Sequence, residues 1–223
     1  MAVIVTGSRG LIGSAVVEHL RKTQEVLELD LALGHDLTDE AFVKQWFRDN
    51  QADALVNLFA LNDHVSAEKK TNDLMEISLE SFDKFLKLNL TTLFSVCREF
   101  SRDKGKGVIV NFASTYGLVS PNPSIYGDDQ KHIAYGVSKA GVVALTRHLA
   151  THLAPKVRVN CIAPGGVRHQ QSEEFQQAYG ELTPLGRMMD ASELFGTIDL
   201  LISEASSYCT GACYPVDGGW TAW

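Results

Sequence analysis

The sequence predicts an α/β fold with a doubly wound parallel sheet, and three observations lead to it. Short apolar, β-branched runs alternate with amphipathic stretches along the whole chain, and strands joined by helices form parallel sheets with right-handed crossovers. A glycine-rich turn, residues 7–13, separates the first apolar run from the first amphipathic stretch. The chain contains no internal repeat, low-complexity segment or linker. We therefore expect one Rossmann-like domain over residues 1–223.

Composition and charge narrow the class of partner. The chain has 223 residues, enough for one large domain with a substantial core. Its net charge of −7 argues against nucleic acid or an anionic membrane as the main partner. No apolar run approaches the roughly 18 residues of a membrane span, and Met1 leads directly into an apolar run without a secretory signal. We expect a small-molecule partner.

The four cysteines predict neither a disulfide framework nor a metal site. They lie within apolar or small-residue stretches, and the only close pair, Cys209 and Cys213, lacks the usual zinc spacing. The segment from His148 to His152 lacks the glutamate of a zinc-protease helix. We expect reduced core thiols in a cytoplasmic protein and no bound metal.

Each secondary-structure element follows from local pattern. The predicted strands are residues 2–6, 26–30, 54–60, 108–113, 157–162 and 213–216. The predicted helices run from the glycine turn to about residue 22, from the N-cap Thr38 to about residue 50, and over residues 78–102, 135–153 and 191–203. Residues 166–187 are polar and are predicted to form a loop.

The connection after the second strand is short. Only five residues separate Asp30 from Asp36, too few for the helix that usually joins the second and third strands of such a sheet. We expect a loop and a minimal third strand here. This shortened segment would reduce the sheet on the side where an adenine ring binds.

The glycine turn has the chemistry of a dinucleotide site. Gly7, Gly10 and Gly13 allow a tight turn and a close approach of the backbone to a pyrophosphate. The helix that follows offers free N–H groups and the positive end of its dipole. Asp30 ends the second strand, where a carboxylate can accept hydrogen bonds from the adenosine ribose hydroxyls.

Tyr135 and Lys139 form the second chemical signal. They are four residues apart near the start of a long predicted helix, so both side chains lie on one face. A nearby ammonium favours the phenolate and is expected to lower the pKa of the tyrosine. A phenol with such a pKa can take a proton from an alcohol or give one to a carbonyl.

The order of these motifs resembles the short-chain dehydrogenase/reductase family over nearly the whole chain. The matching pieces are residues 6–13, Asp36-Leu37, Asn57, Leu88-Asn89-Leu90, Ser114, residues 135–139, Pro164-Gly165 and residues 216–220. The resemblance implies an oxidoreductase that moves a hydride between a nicotinamide cofactor and a C–OH/C=O pair.

The resemblance also implies residue roles. Tyr135 is expected to be the acid/base, Lys139 its pKa partner and a ligand of the nicotinamide ribose, and Ser114 the hydroxyl that orients the substrate oxygen. Asn89 is expected to hold a water in a proton relay. The expected cofactor-binding residues are Gly7, Arg9, Gly10, Leu11, Ile12, Gly13, Asp30, Asp36, Leu37, Asn57, Tyr135, Lys139, Pro164, Gly165 and Val167.

Some features depart from the compact form of the family. The glycine spacing is that of the extended branch that uses sugar nucleotides, whereas the length and the closing motif are those of the compact branch. Phe59 stands in the usual Asn-Asn-Ala-Gly run and could crowd the cofactor, and His169 stands near the place of a threonine that touches the carboxamide. The twenty residues between Ser114 and Tyr135 resemble sugar-modifying relatives.

These features predict an NAD(P)-dependent oxidoreductase that acts on a polar alcohol or ketone, a class that includes sugar-like substrates. Two alternatives stay open: a reductase of a small or 3-oxoacyl carbonyl, and a catalytically silent dinucleotide-binding regulator. The family commonly assembles through its two long helices and its last strand, so we expect a homo-oligomer, most simply a tetramer. Trp220 and Trp223 at the chain end would be costly in water unless covered.

The choice of cofactor depends on two residues that point in opposite directions. Arg9 precedes the middle glycine, as in many NADP-using relatives, and could pair with a 2′-phosphate. Asp30 binds the ribose diol and repels that phosphate. Asp30 is expected directly beside the ribose, whereas Arg9 can turn to solvent or pair with Asp30. We therefore expect NAD in preference to NADP.

Overall fold

The computed structural model describes residues 1–62, 73–127 and 130–223. The strands of this part of the chain are β1 (Ala2–Thr6), β2 (Glu25–Leu29), β3 (Ala54–Asn57), β4 (Gly107–Phe112), β5 (Val157–Pro164) and β6 (Cys213–Val216). They form one parallel sheet in the order β2-β1-β3-β4-β5-β6, which confirms the predicted doubly wound sheet. The winding reverses between β1 and β3, so a ligand crevice is expected at the carboxyl ends of these strands.

Helices cover both faces of the sheet. They are α1 (Leu11–Leu20), α2 (Glu40–Asp49), α3 (Leu79–Leu86), α4 (Leu93–Ser101), α5 (Ile133–Leu153), α6 (Glu173–Glu181) and α7 (Phe195–Ile202). Alternate strand residues point to opposite faces. Val3 and Val5 belong to the core layer under α1 and α7, whereas Ile4 belongs to the layer under α2, α4 and α5.

The connection after β2 contains no third strand in the structure, so that part of the prediction is wrong. Leu31–Leu33 form a single 3-10 turn, which begins at Asp30 and ends at Gly34 with a φ of 81°. The chain then passes directly toward α2. Thr38 does not cap that helix, because its hydroxyl donates to Asp36; Asp39 is the N-cap.

Other parts of the predicted secondary structure also differ from the structure. Residues 166–187 are not all loop, since Ser172 caps the helix α6, whose pattern is too polar to stand out in the sequence. β3 ends at Asn57 rather than at residue 60. The backbone at Phe59 lies against the first glycine turn, where a Cβ on Gly7 would be 2.5 Å from the Phe59 nitrogen. The predicted helix 78–102 has a π-helical stretch, Lys87–Thr92, between α3 and α4.

A buried polar row, formed by Thr6, Asn57, Asn111 and Thr146, crosses the middle of the sheet. Thr6 Oγ1 donates to Asn57 Oδ1 at 3.1 Å, and Asn57 Nδ2 donates to Asn111 Oδ1 at 2.9 Å. Asn111 Nδ2 then donates to Thr146 Oγ1 on α5 at 3.1 Å. The row therefore ties β1, β3 and β4 to the helix that carries Tyr135.

Candidate active site

The glycine turn is closed by backbone contacts that leave no room for side chains. Gly7 has a φ of 66°, in the left-handed region that favours glycine. A Cβ on Gly13 would lie 1.9 Å from the Gly7 carbonyl oxygen, far inside any real contact. These two glycines thus let the start of α1 pack directly on the turn, as the sequence predicted for a dinucleotide site.

The turn also presents groups that suit a phosphate ligand. Gly10 is the N-cap of α1, and no side chain caps the helix, so the N–H groups of its first turn can donate hydrogen bonds to an anion. The hydroxyl of Ser8 is buried, yet it has no hydrogen-bond partner within the described residues. Buried polar atoms normally have partners, so this hydroxyl fits a ligand oxygen. Ser8 lies inside the predicted motif but was not predicted as a site residue.

Asp30 and Arg9 are adjacent but are not paired through their side chains. The Asp30 carboxylate accepts hydrogen bonds from the backbone N–H groups of Arg9 at 2.9 Å and Ala32 at 2.8 Å. The Arg9 guanidinium instead binds Glu28, with Nε 3.2 Å from Oε2 and Nη2 3.2 Å from Oε1. The predicted possibility of an Arg9–Asp30 pair is therefore wrong at the side chain.

Three residues predicted to bind the cofactor have their side chains engaged elsewhere. Leu37 is 8% exposed and belongs to the core. The amide of Asn57 is used by the buried polar row. Asp36 is exposed and accepts hydrogen bonds from the N–H and hydroxyl groups of Thr38, which hold the pKa of its carboxyl below the usual value. Each of these side chains is therefore held by contacts within the chain.

The predicted reaction centre comes together at the carboxyl end of β4. Ser114 directly follows this strand, and its hydroxyl accepts the N–H of Tyr116 at 3.2 Å. Tyr135 is 9% exposed and forms a hydrogen bond with Ser114. Lys139 is also buried, and its ammonium donates to the carbonyl oxygen of Phe112 at 2.7 Å. The structure thus brings a serine, a tyrosine and a lysine from two elements into one buried cluster.

The pKa of Tyr135 in this cluster differs from the prediction. Burial raises the pKa of Tyr135, and the hydrogen bond with Ser114 only partly offsets that effect. Burial also lowers the pKa of Lys139 to about 8. The predicted lowering of the tyrosine pKa is wrong for this arrangement, because the Lys139 ammonium contacts a carbonyl and lies 5.9 Å from the centre of the Tyr135 ring. The ammonium of Lys131, which sequence reasoning missed, lies nearer, at 4.6 Å.

Asn89 lies in the π-helical stretch, a feature often found at functional sites. Its Oδ1 accepts the backbone N–H of Leu61 at 2.7 Å, and its Nδ2 donates to the Leu61 carbonyl at 3.0 Å and to Ser138 Oγ at 3.0 Å. Asn89 therefore joins the segment after β3 to α5, the helix that carries Tyr135 and Lys139.

The end of β5 completes the same edge of the sheet. The N–H of Gly165 donates to the Val216 carbonyl at 2.9 Å, and Val167 forms an isolated bridge with Met189. Pro164, the last residue of β5, is buried. His169 is exposed beyond this segment. Pro164, Gly165 and Val167 therefore lie at the carboxyl edge of the sheet, and their contact with a cofactor stays a prediction.

An aromatic wall, formed by Tyr116, Tyr126, Phe175, Tyr179 and Trp220, lies beside the reaction centre. The Tyr126 hydroxyl donates to the Tyr116 hydroxyl at 2.7 Å, and burial raises the pKa of Tyr116 to about 12. The rings of Tyr179 and Trp220 stack with centroids 4.3 Å apart. The wall is therefore made of aromatic rings, and its tyrosine hydroxyls bond to one another or to the backbone N–H of Gly166.

The aromatic wall explains how Trp220, near the end of the chain, is covered. Trp220 is buried against Tyr179 within the same chain, so it needs no partner subunit, contrary to the prediction. Trp223 remains 80% exposed. A cavity of about 550 Å³ adjoins Tyr116 and Tyr126 and is bounded by the start of α5.

No group of three or more histidine, cysteine or acidic side chains is arranged to hold a metal ion among residues 1–62, 73–127 and 130–223. No helix in those ranges combines the length and apolar character needed to cross a bilayer.

Comparisons with known proteins agree with this geometry. A family model described as enoyl-(acyl carrier protein) reductase matches residues 10–221. The 3-oxoacyl-(acyl-carrier-protein) reductase FabG of Aquifex aeolicus (strain VF5) is 32% identical over 229 residues, covering 97% of this chain and 86% of the relative. Galactitol 2-dehydrogenase (L-tagatose-forming) of Cereibacter sphaeroides is 33% identical over 164 residues, covering 69% of this chain and 62% of the relative. A crystal structure of a short chain dehydrogenase from Leptospira borgpetersenii serovar Hardjo-bovis (strain JB197) with bound NAD+ has a TM-score of 0.85 and 31% identity, covering 99% of this chain and 92% of that one.

Proposed function

The chain belongs to the short-chain dehydrogenase/reductase family and is an NAD(P)-dependent oxidoreductase, and we propose that it interconverts a hydroxyl and a carbonyl group on a polyhydroxylated small molecule. The observation that carries this proposal is the buried cluster of Ser114, Tyr135 and Lys139 at the sheet edge that also bears the glycine turn. The hydroxyl groups of the aromatic wall favour a substrate with several hydroxyls. The similarity to a galactitol dehydrogenase points to the same substrate class.

In this proposal each site residue has a definite task. Ser8 and the first turn of α1 hold the pyrophosphate, Asp30 holds the adenosine ribose, and Lys139 holds the nicotinamide ribose. Pro164, Gly165 and Val167 border the carboxamide, while Asp36, Leu37 and Asn57 support the crevice from behind. Residues 1–223 act as one domain.

The proton chemistry is assigned to the chain itself. The hydroxyls of Ser114 and Tyr135 both reach the substrate oxygen, because a hydrogen bond already joins the two side chains. Tyr135 Oη gives its proton to that oxygen during reduction and takes it back during oxidation. Asn89 is proposed to hold a water that returns a proton to the phenol. A bound nicotinamide supplies or accepts the hydride.

Turnover on a matched panel tests the substrate class. The panel contains sugar alcohols with NAD+, the corresponding ketoses with NADH, and an acetoacetyl thioester with either reduced cofactor. The proposal expects the highest kcat/KM for a sugar alcohol or ketose. A higher value for the thioester would favour the alternative, a 3-oxoacyl reductase, which the 32% identity to FabG over 97% of the chain supports. Tight cofactor binding with no turnover on any substrate would favour a silent regulator.

We also propose NAD as the preferred cofactor. The Asp30 carboxylate is held in place by two backbone N–H groups, so it is positioned to accept the ribose hydroxyls and to repel a 2′-phosphate. The test is the ratio of kcat/KM for NAD+ and NADP+ in the wild type and in Asp30→Ala. The wild type should prefer NAD+, and the variant should lose that preference. A wild-type preference for NADP+ would reject this part of the proposal.

Assembly and location complete the proposal. A tetramer is supported by exposed apolar side chains on α3, α4 and α5, where Leu79 is 83%, Phe94 43% and Val137 45% exposed. Sedimentation at micromolar concentration should show a species larger than a monomer. A cytoplasmic location is supported by four free cysteines, including Cys161 and Cys213, which are register partners on neighbouring strands.

A further inference from the structure

Glu28 binds two arginines at the adenosine end of the crevice. Its side chain is only 8% exposed, although it lies on the edge strand β2, two residues before Asp30. Arg9 contacts both carboxylate oxygens, at 3.2 Å each, and Arg21 Nη2 contacts Oε1 at 2.5 Å. The Arg9 guanidinium is thus held on Glu28 by one hydrogen bond, from Nη2 to Oε1, and by one further ion-pair contact, from Nε to Oε2.

This arrangement bears on cofactor choice because Arg9 is the one residue of the glycine turn that could neutralise a 2′-phosphate. Its side chain is 49% exposed, so the ion pair rather than packing holds it. Its own backbone N–H is bound to Asp30, which places the root of the side chain beside the expected ribose. An arginine already bound to a buried carboxylate must give up that contact before it can bind a phosphate.

We propose that Glu28 is a cofactor-specificity residue, which withholds Arg9 from the 2′-phosphate of NADP and so adds to the discrimination by Asp30. This inference rests on the proposed binding of a dinucleotide at the glycine turn. It differs from the proposed role of Asp30, because Asp30 repels the phosphate directly whereas Glu28 removes a counter-charge. Replacing Glu28 by a neutral residue of the same shape should therefore release Arg9 toward NADP.

The test is equilibrium binding of NAD+ and NADP+, measured by calorimetry without substrate. Glu28→Gln should bind NADP+ about tenfold more tightly than the wild type, because the released Arg9 gains one charged contact with the phosphate. Its affinity for NAD+ should be unchanged. Glu25→Gln is the matched control, because it removes the same charge from an exposed position of the same strand. That control should change neither affinity by more than about twofold.

Variants at Arg9 test whether its guanidinium is the group that binds the phosphate. Arg9→Ala alone should leave the affinity for NADP+ nearly unchanged, because the guanidinium is withheld in the wild type. In the double variant Glu28→Gln/Arg9→Ala the gain should disappear. Arg9 is half exposed, so Arg9→Ala should fold even if Glu28→Gln does not, and it tests the proposal by itself.

Three results would overturn this role of Glu28. They are a marked loss of NADP+ affinity in Arg9→Ala, a gain in Glu28→Gln that persists without Arg9, and a gain of equal size in Glu25→Gln. A wild type that prefers NADP+ would instead reject the proposed preference for NAD, and the double-variant cycle would still decide whether Glu28 restrains Arg9. A wild type that binds neither dinucleotide would reject both.

Discussion

The two ends of the ligand crevice are built in different ways. At the cofactor end, β1, the glycine turn and α1 are consecutive in the chain, and the backbone makes the site. At the substrate end, the aromatic wall brings together Tyr116, Tyr126 and side chains from α6 and the chain terminus. The first end depends on space that side chains must not occupy. The second depends on which side chains fill the space.

This difference determines how each end should respond to substitution. A change at Gly7 or Gly13 of the cofactor end should act on folding, because a single methyl group meets backbone atoms there. A change at the substrate end should act on rate and selectivity, because most of its side chains can shrink without moving the sheet. Substitutions at each end can therefore distinguish an effect on stability from an effect on rate or selectivity.

The largest effect is expected at the reaction centre. Tyr135→Phe removes the proposed proton donor, so kcat should fall by about 10²–10⁴-fold, with the affinity for NAD+ nearly unchanged. Stopped assays of NADH formation and calorimetric binding measure the two quantities. Tyr208→Phe is the control, since Tyr208 is fully exposed at 102% and should leave kcat unaltered. Turnover of Tyr135→Phe close to that of the control would remove Tyr135 from the mechanism.

The next effect separates two glycines of one turn. A methyl group on Gly13 would lie 1.9 Å from the Gly7 carbonyl oxygen, whereas one on Gly10 would lie 3.4 Å from it. Gly13→Ala should lower the free energy of unfolding by about 3 kcal/mol or prevent folding, and Gly10→Ala should cost far less. Urea denaturation measures both. Equal losses of stability in the two variants would show that the close approach of Gly13 to the Gly7 carbonyl oxygen does not determine the cost.

Burial of Lys139 should give stability a pH dependence. Its pKa is about 8 in the folded chain and near 10.5 when unfolded, so the unfolded state binds more protons between these values. The free energy of unfolding should therefore rise with pH, by about 2 kcal/mol from pH 8 to pH 10. Denaturation of the wild type and of Lys139→Met over this range isolates the contribution. Identical slopes for the two proteins would contradict burial of the ammonium.

The smallest effect is expected within the aromatic wall. Tyr126→Phe removes the hydrogen bond to the Tyr116 hydroxyl, which should cost about 1 kcal/mol of stability. The cavity beside the reaction centre keeps its shape, so the change in activity should appear mainly in KM for a hydroxylated substrate. Steady-state kinetics beside Tyr116→Phe would test this. An unchanged KM in both variants would mean that the tyrosine hydroxyls do not contact the substrate.

The same contrast explains what the sequence could predict. The doubly wound parallel sheet and the position of the glycine turn between the first strand and the first helix depend on local patterns and were predicted correctly. The partner of Arg9 could not be predicted, because Glu28 on β2 and Asp30 directly after β2 are only two residues apart and only geometry distinguishes them. The pKa of Tyr135 depends on burial, which the spacing of Tyr135 and Lys139 does not reveal.

The substrate end was predicted less well for a physical reason. Tyr126, Tyr179 and Trp220 are distant in the chain, and no periodic pattern links them. α6 was missed because only a few of its residues are buried, so its apolar signal is weak. Trp220 looked like an interface residue because its covering ring, Tyr179, belongs to the helix that was missed.

The buried polar row has a consequence for how such a sheet can evolve. Each amide of Asn57 and Asn111 serves both neighbours, so an apolar replacement at one position leaves a buried donor or acceptor unmatched, at a cost of about 1–3 kcal/mol. Replacing both partners together can be nearly neutral. Sequence drift through the middle of this sheet must therefore cross a less fit intermediate or change two strands in one step. The row would then persist through descent even where the substrate end diverges freely.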